Sequence, residues 1–178
     1  MKKLAIFAHP NLGESSVSAT WIEQFSAHGD ITVHKLAENN TGYVFDVAKE
    51  QQLIRDHDRI LIVSPVYWYS DPALLKKWFE DIFTDKFVES IKGQKKLWML
   101  SATSGKPERW YRLRNNNAPL EMYYLAWQSM MSEIGQTLFP MYPYYWTYRK
   151  GKEDHIAASK KLLEQFVSED PSSGITSL

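Results

Sequence analysis

Apolar residues alternate along this chain between short unbroken runs and stretches with a three-to-four-residue beat. Three runs stand out: Lys2 to Ala8, Arg59 to Ser64 (RILIVS) and Lys95 to Ser101 (KKLWMLS). Segments this short, apolar on both faces, predict strands of a parallel sheet covered by helices on each side. The helical beat lies between them. Ser15 or Ser16 caps a helix to about Ala27, with Trp21, Ile22 and Phe25 on one face, and His28-Gly29-Asp30 ends it. Ile31, Val33 and Leu36 suggest a strand, and Asn39 to Gly42 a loop. Asp46 opens a helix that buries Val47, Leu53 and Ile54. Asp71-Pro72 reads as a helix start with Asp71 as N-cap, followed by Leu74, Leu75, Trp78, Phe79 and Ile82. The spacing predicts a polar loop over 102–117, a helix from Pro119 to Ile134 stopped by Gly135, a fifth strand over 136–141 and a last helix over 152–167.

Strands alternating with helices imply an α/β fold, a doubly wound five-stranded parallel sheet with helices on both faces. Residues 1–168 form one domain, and 169–178 (EDPSSGITSL) are expected to be a disordered tail. Such sheets bind ligands at the carboxyl ends of their strands, near the switch in strand order. Those ends carry His9, the aromatic turn Tyr67-Trp68-Tyr69 and the Thr103-Ser104-Gly105 turn.

Each loop admits two readings. Residues 9–18 (HPNLGESSVS) lead into a helix N-terminus, whose unpaired N–H groups and positive dipole end suit a phosphate. Ser15, Ser16 and Ser18 offer hydroxyls, and His9 a ring N–H that binds an anion more strongly when protonated. The plainer reading is serine capping with His9 at a strand end. In the second loop, backbone N–H groups meet the edge of a heterocycle while Trp68 and Tyr69 cover its face. Alternatively those rings pack under the next helix. In the third loop, Thr103, Ser104 and Gly105 offer donors and a close backbone approach, as do many ordinary turns.

The bulk numbers narrow the functions. There are 21 basic and 21 acidic residues among 178, so no general electrostatic grip on nucleic acid or anionic membrane is expected. The absence of cysteine removes disulfides, thiolate catalysis and cysteine-bound metal. No segment approaches the ~20 apolar residues of a membrane span, and the run from Leu4 to Ala8 is too short for a signal-peptide core. A cytoplasmic location is expected. Asp56-His57-Asp58 has the composition of a metal cluster, but adjacent side chains at a helix end diverge, so no metal is assigned. By spacing, His28, His34 and His155 have no evident partners. No G-x-S-x-G elbow or Walker-type Gly-Lys-Ser/Thr occurs. The aromatic run Met141 to Arg149 reads as a packing or dimer surface rather than a nucleic-acid platform.

Several strings together resemble one family. They are Ala8-His9-Pro10 followed by Ser15-Ser16-Val17-Ser18, the stretch 45–51 (FDVAKEQ), the segment 65–78 (PVYWYSDPALLKKW), and Gly93 to Gly105 ending in Thr-Ser-Gly. The chain resembles the flavodoxin-like NAD(P)H:quinone oxidoreductases, the DT-diaphorase-like group, which includes ancillary reductases of glutathione-gated potassium efflux systems. The resemblance is carried by residues 1–105. It implies a flavin, with FMN favoured over FAD in a chain this short and FAD left open, and with His9 and Ser15, Ser16, Val17 and Ser18 at its phosphate end. Pro65, Val66, Tyr67, Trp68 and Tyr69 would hold the ring system, and Ala102, Thr103, Ser104 and Gly105 would close its other side. It further implies hydride transfer from NAD(P)H to the flavin, two-electron reduction of a quinone-like acceptor, and a homodimer with the flavin near its interface. Tyr111 is the candidate catalytic tyrosine, and no histidine matches the family's second catalytic group. Asp71 stands where the family has a small or apolar residue. Two other functions remain open: a weakly active or inactive flavin-binding regulatory subunit docking on a membrane transporter, and a phosphate-ligand binder or hydrolase without flavin.

Overall fold

The computed structural model describes residues 1–38, 41–114 and 118–168; the expected tail over 169–178 lies outside them. Its strands are β1 (Lys3–Phe7), β2 (Ile31–Lys35), β3 (Arg59–Pro65), β4 (Leu97–Thr103), β5 (Thr137–Leu138) and β6 (Tyr142–Tyr144). Its α-helices are α1 (Ser16–Ser26), α2 (Val47–Arg55), α3 (Ala73–Ile82), α4 (Asp85–Ile91), α5 (Glu108–Arg114), α6 (Leu125–Glu133) and α7 (Lys152–Val167). The strands pair in parallel in the order β2-β1-β3-β4-β5, with β6 also along β4. The chain steps from β1 to one side and then returns to the other, so the order reverses between β1 and β3. At that reversal the loops leaving the two strands diverge and open a crevice.

The alternation of a strand explains the two cores. Leu4, Ile6, Ile60, Ile62, Trp98 and Leu100 point to one face and pack with Ile54, Leu74, Trp78, Ile91 and Trp127. Ala5, Phe7, Leu61, Val63 and Met99 point to the other and meet Trp21, Phe25, Ala158, Leu162 and Phe166 of α1 and α7. A buried carboxylate sits within the first layer. Glu50 Oε2 accepts from the Trp78 indole at 2.9 Å and faces His34 Nε2 at 3.0 Å.

Several expectations are corrected. The fifth strand breaks into β5 and β6, which lie along the two halves of β4. Pro140 falls in the gap, and a proline has no N–H to give to a ladder. The polar stretch after β4 is not all loop, because it contains α5. The segment between α3 and β4 holds α4, capped by Thr84 on the Phe87 N–H at 3.4 Å. The helix expected from Pro119 begins as a 3-10 turn, Leu120–Tyr124, before α6. Asp71 is not the cap of α3. Pro72 holds that position without a side-chain bond, and the Asp71 carboxylate turns inward.

Candidate functional site

The first loop delivers the start of α1 to the end of β1. Ser15 caps the helix: its Oγ accepts from the Ser18 N–H at 3.1 Å and donates to Ser18 Oγ at 2.9 Å. Ser18 is buried, and the Val17 side chain packs into the core beneath α1. The serines therefore divide their work. Ser15 spends its hydroxyl hydrogen on Ser18, and Ser18 is buried, whereas Ser16 is exposed at the first helical position. The Ser16 and Val17 N–H groups have no carbonyl to reach within the helix. His9 Nδ1 accepts from the Asn11 N–H at 3.1 Å, which leaves its proton on Nε2 when the ring is neutral. Partial burial lowers the His9 pKa, against smaller upward pulls from Asn11 and Glu14, so the neutral form dominates at pH 7.

The second loop is a two-residue hairpin turn. Tyr67 and Ser70 exchange backbone hydrogen bonds at 2.9 and 3.1 Å. Both central residues are left-handed, Trp68 at φ 49° and Tyr69 at φ 66°. That is the geometry of a type I′ turn, which normally takes Asn and Gly. Large residues in this region cost free energy, and such strain gathers at functional sites. The turn sends its two rings opposite ways. Tyr69 points inward, with its ring 5.2 Å from Tyr123 and 5.9 Å from Tyr111, and its hydroxyl accepts from the Trp110 indole at 3.3 Å. Trp68 points into solvent, 94% exposed. Of the two rings assigned to a flat ligand, Tyr69 is thus committed to the protein and Trp68 is free.

The third loop is tied to both neighbours. Pro65 pairs with Thr103, and the Val66 N–H donates to the Thr103 carbonyl at 2.9 Å. Ala102 is buried in the core. Ser104 is also buried. Its N–H donates to the Tyr144 carbonyl at 2.8 Å, and its Oγ lies 2.7 Å from Tyr111 Oη. Tyr111 is 2% exposed, and burial raises its pKa. The Tyr111 hydroxyl thus meets the third loop through Ser104, within the protein interior. At Gly105 an added Cβ would lie 2.2 Å from a ring carbon of Tyr148, so only glycine admits that ring. The other face of Tyr148 is open, and the residue is 89% exposed.

These loops meet at a rim. The His9 and Tyr67 rings pack edge to face with centroids 6.0 Å apart. The Tyr67 pKa is raised by partial burial, with smaller upward contributions from Tyr148, Glu14 and Tyr43. The end of β1 that leads to the anion-receptive helix start therefore meets the Tyr67 ring, and Tyr148 covers Gly105 in the third loop. Sequence reasoning did not find Tyr43 or Tyr148. The one available signal for Tyr148 was the glycine in the third loop, since a residue without Cβ invites a close neighbour.

Beneath the rim, Asp71 fastens the second loop to α6. Its carboxylate accepts from Ser64 Oγ at 2.9 Å and from the Trp127 indole at 2.7 Å. Burial pushes its pKa up, and those two hydrogen bonds offset part of the rise. Asp56, His57 and Asp58 each have separate partners. Asp56 accepts from Gln52, the His57 ring bonds Leu53 and Thr32, and Asp58 accepts from the Lys2 N–H. The histidines judged partnerless do have partners: His28 faces Asp30 at 3.3 Å, His34 faces Glu50, and His155 lies between Tyr144 and Ser16.

A model of the flavodoxin-like fold matches residues 1–167. The uncharacterized NAD(P)H oxidoreductase YrkL of Bacillus subtilis (strain 168) is 35% identical over 173 residues, 95% of this chain and 99% of the relative. The glutathione-regulated potassium-efflux system ancillary protein KefG of Salmonella paratyphi B is 28% identical over 177 residues, 97% of this chain and 96% of that protein. General stress protein 14 of Treponema denticola, solved in complex with FMN, superposes with a TM-score of 0.84 at 24% identity, covering 93% of this chain and 98% of that one. With this strand order and a match spanning nearly the whole length, the chain belongs to the flavodoxin-like fold family.

Proposed function

We propose that the chain is a flavin-dependent NAD(P)H:quinone-type oxidoreductase whose FMN lies across the carboxyl ends of β1, β3 and β4. One observation carries this reading. A helix N-terminus able to receive an anion follows β1, whose end meets the Tyr67 ring of the loop after β3, while Tyr148 lies over Gly105 in the loop after β4, all at the carboxyl ends of the strands. A molecule with a phosphate at one end and a flat ring system at the other fits this arrangement. Near-full-length similarity to a protein named an NAD(P)H oxidoreductase supports the reaction class.

The residues divide the task. Ser16, the N–H groups of Ser16 and Val17, and His9 through Nε2–H receive the phosphate end. Ser15 and Ser18 hold the helix start in shape. The backbone of Pro65 to Trp68 and of Thr103 to Gly105 borders the ring system, with Ala102, Ser104 and Tyr69 as its support. Tyr67, Trp68, Tyr43 and Tyr148 shield the site from water. When bound, the flavin supplies the two-electron carrier between NAD(P)H and a quinone-like acceptor. Exposed Trp68, Trp146 and Tyr148 make this end of the molecule suited to a homodimer contact. Among the described residues no helix is long and apolar enough to cross a membrane, and we propose a cytoplasmic location.

The test is the visible spectrum of the purified protein, identification of the flavin released on heating, and NADH or NADPH oxidation with a quinone. A colourless protein that takes up no flavin overturns the proposal. A second reading, an ancillary subunit acting on a membrane transporter, is favoured by the similarity to KefG along almost the whole chain. Flavin binding without turnover on any quinone would select its inactive form.

A further inference from the structure

His155 was left without a role by the sequence, 139 residues from Ser16 along the chain. The fold brings it from α7 to the start of α1. It is 1% exposed, and both ring nitrogens are engaged: Nδ1 lies 2.8 Å from Tyr144 Oη, and Nε2 lies 3.4 Å from Ser16 Oγ. Its main chain is fixed as well, since its carbonyl accepts from the Trp21 indole at 2.9 Å. Three elements, β6, α7 and α1, thus meet in a line that runs from a buried phenol to an exposed hydroxyl at the helix start.

We propose that Tyr144 and His155 are positioning residues for the phosphate end of the cofactor, orienting the Ser16 hydroxyl so that its hydrogen faces outward to an anion. This deepens the proposed function and rests on its placement of the phosphate.

The direction of the relay follows from proton ownership. Burial holds the His155 pKa below the ordinary histidine value, so the ring is neutral at pH 7 and one nitrogen must accept. Burial and Asp154 push the Tyr144 phenol up to about 12, so it keeps its proton. A buried phenol with one proton and one partner donates it: Tyr144 Oη–H to Nδ1. The tautomer is then fixed with hydrogen on Nε2, which donates to a lone pair of Ser16 Oγ. The Ser16 hydrogen has no acceptor left on that side and is free for a phosphate oxygen. A hydroxyl aimed beforehand spends less rotational freedom on binding than one left to turn. The two neighbouring serines do not take this part, because Ser15 gives its hydrogen to Ser18 and Ser18 is buried.

The test compares FMN with riboflavin, which is the same ring system without the phosphate. Both are titrated into apoprotein and read by quenching of flavin fluorescence. Wild type is expected to prefer FMN. Ser16→Ala removes the aimed hydroxyl, and Tyr144→Phe removes the donor that fixes the tautomer while keeping the ring. Ser16→Ala should reduce the FMN preference by about ten- to a hundredfold, the range of one hydrogen bond to a charged group, and Tyr144→Phe by a smaller factor, with riboflavin affinity unchanged. The double variant should lose no more than Ser16→Ala alone, because both act on one bond. An unchanged preference in Tyr144→Phe overturns the inference, as does an equal weakening of both flavins. A wild type that binds FMN and riboflavin equally would instead remove the phosphate placement itself, and the inference with it.

Discussion

Replacing Trp68 by glycine should make the empty protein more stable and its flavin complex weaker. Trp68 and Tyr69 occupy the left-handed region in succession, a conformation that costs an ordinary residue about 1–2 kcal/mol. Glycine escapes that cost and gives up about 0.5–1 kcal/mol of chain entropy instead. The indole is 94% exposed, so deleting it subtracts almost no buried apolar surface. The balance is a gain of roughly 0.5–1 kcal/mol, or about 1–4 °C in Tm for a domain of this size. Alanine at the same position removes the ring and keeps the strain, so Trp68→Ala should melt no higher than wild type. Aromatic contact contributes about 0.5–1.5 kcal/mol beyond the area it covers. Losing it together with that area should raise the FMN Kd about tenfold in both variants. Thermal melts of the apoproteins and flavin titrations read the two halves separately. Equal melting of the glycine and alanine variants refutes the strain argument. An unchanged Kd in both refutes the idea that the exposed ring covers a ligand.

Ser15→Glu sets a carboxylate where the phosphate is proposed to lie and should weaken FMN by about tenfold or more while sparing riboflavin; equal loss of both flavins would contradict the placement. Asp71→Asn should stabilise the protein at pH 7. The Asp71 pKa is raised in the fold, so wild type holds its full stability below the ordinary aspartate range and loses some as pH rises through the folded value. Urea midpoints of variant and wild type should therefore converge at low pH, and a constant gap would argue against a destabilising buried charge. Glu50→Gln should do the reverse. Burial raises the Glu50 pKa, but the hydrogen bond and charge of His34, with the Trp78 indole, leave it below the usual glutamate value. Its contribution is present above that usual value and is lost as pH falls through the folded one. The variant should be about 1–3 kcal/mol less stable at neutral pH, with the deficit closing on acidification.

The contrast between those two acids shows what a sequence can carry. Both read as polar positions next to helix starts, and only the fold reveals that Glu50 meets a histidine from β2 while Asp71 meets neutral donors. The strands were legible because their runs are apolar on both faces, which leaves few alternatives for Leu4–Phe7 or Ile60–Val63. The edge strand was legible in position but not in form, since Pro140 breaks a ladder without breaking the path of the chain. α5 was hidden because Glu108 to Arg114 follows a Gly-Lys-Pro turn and is rich in charge. That the three candidate loops follow β1, β3 and β4 was legible from the strand ends alone. Orientation was another matter: nothing in Tyr-Trp-Tyr says which ring turns outward, because that is decided by two positive φ angles and by Tyr111 and Tyr123 waiting on one side. His155 and Tyr148 reach the site from the last third of the chain, and no local spacing encodes such contacts.

The divided fifth strand has a consequence for how copies of this molecule can meet. A sheet margin made of two- and three-residue pieces with a proline between them offers no continuous row of backbone donors for a second chain to zip onto. Growth by strand addition is blocked on that flank, so assembly there has to rely on shape and side chains and can stop at a closed number of subunits.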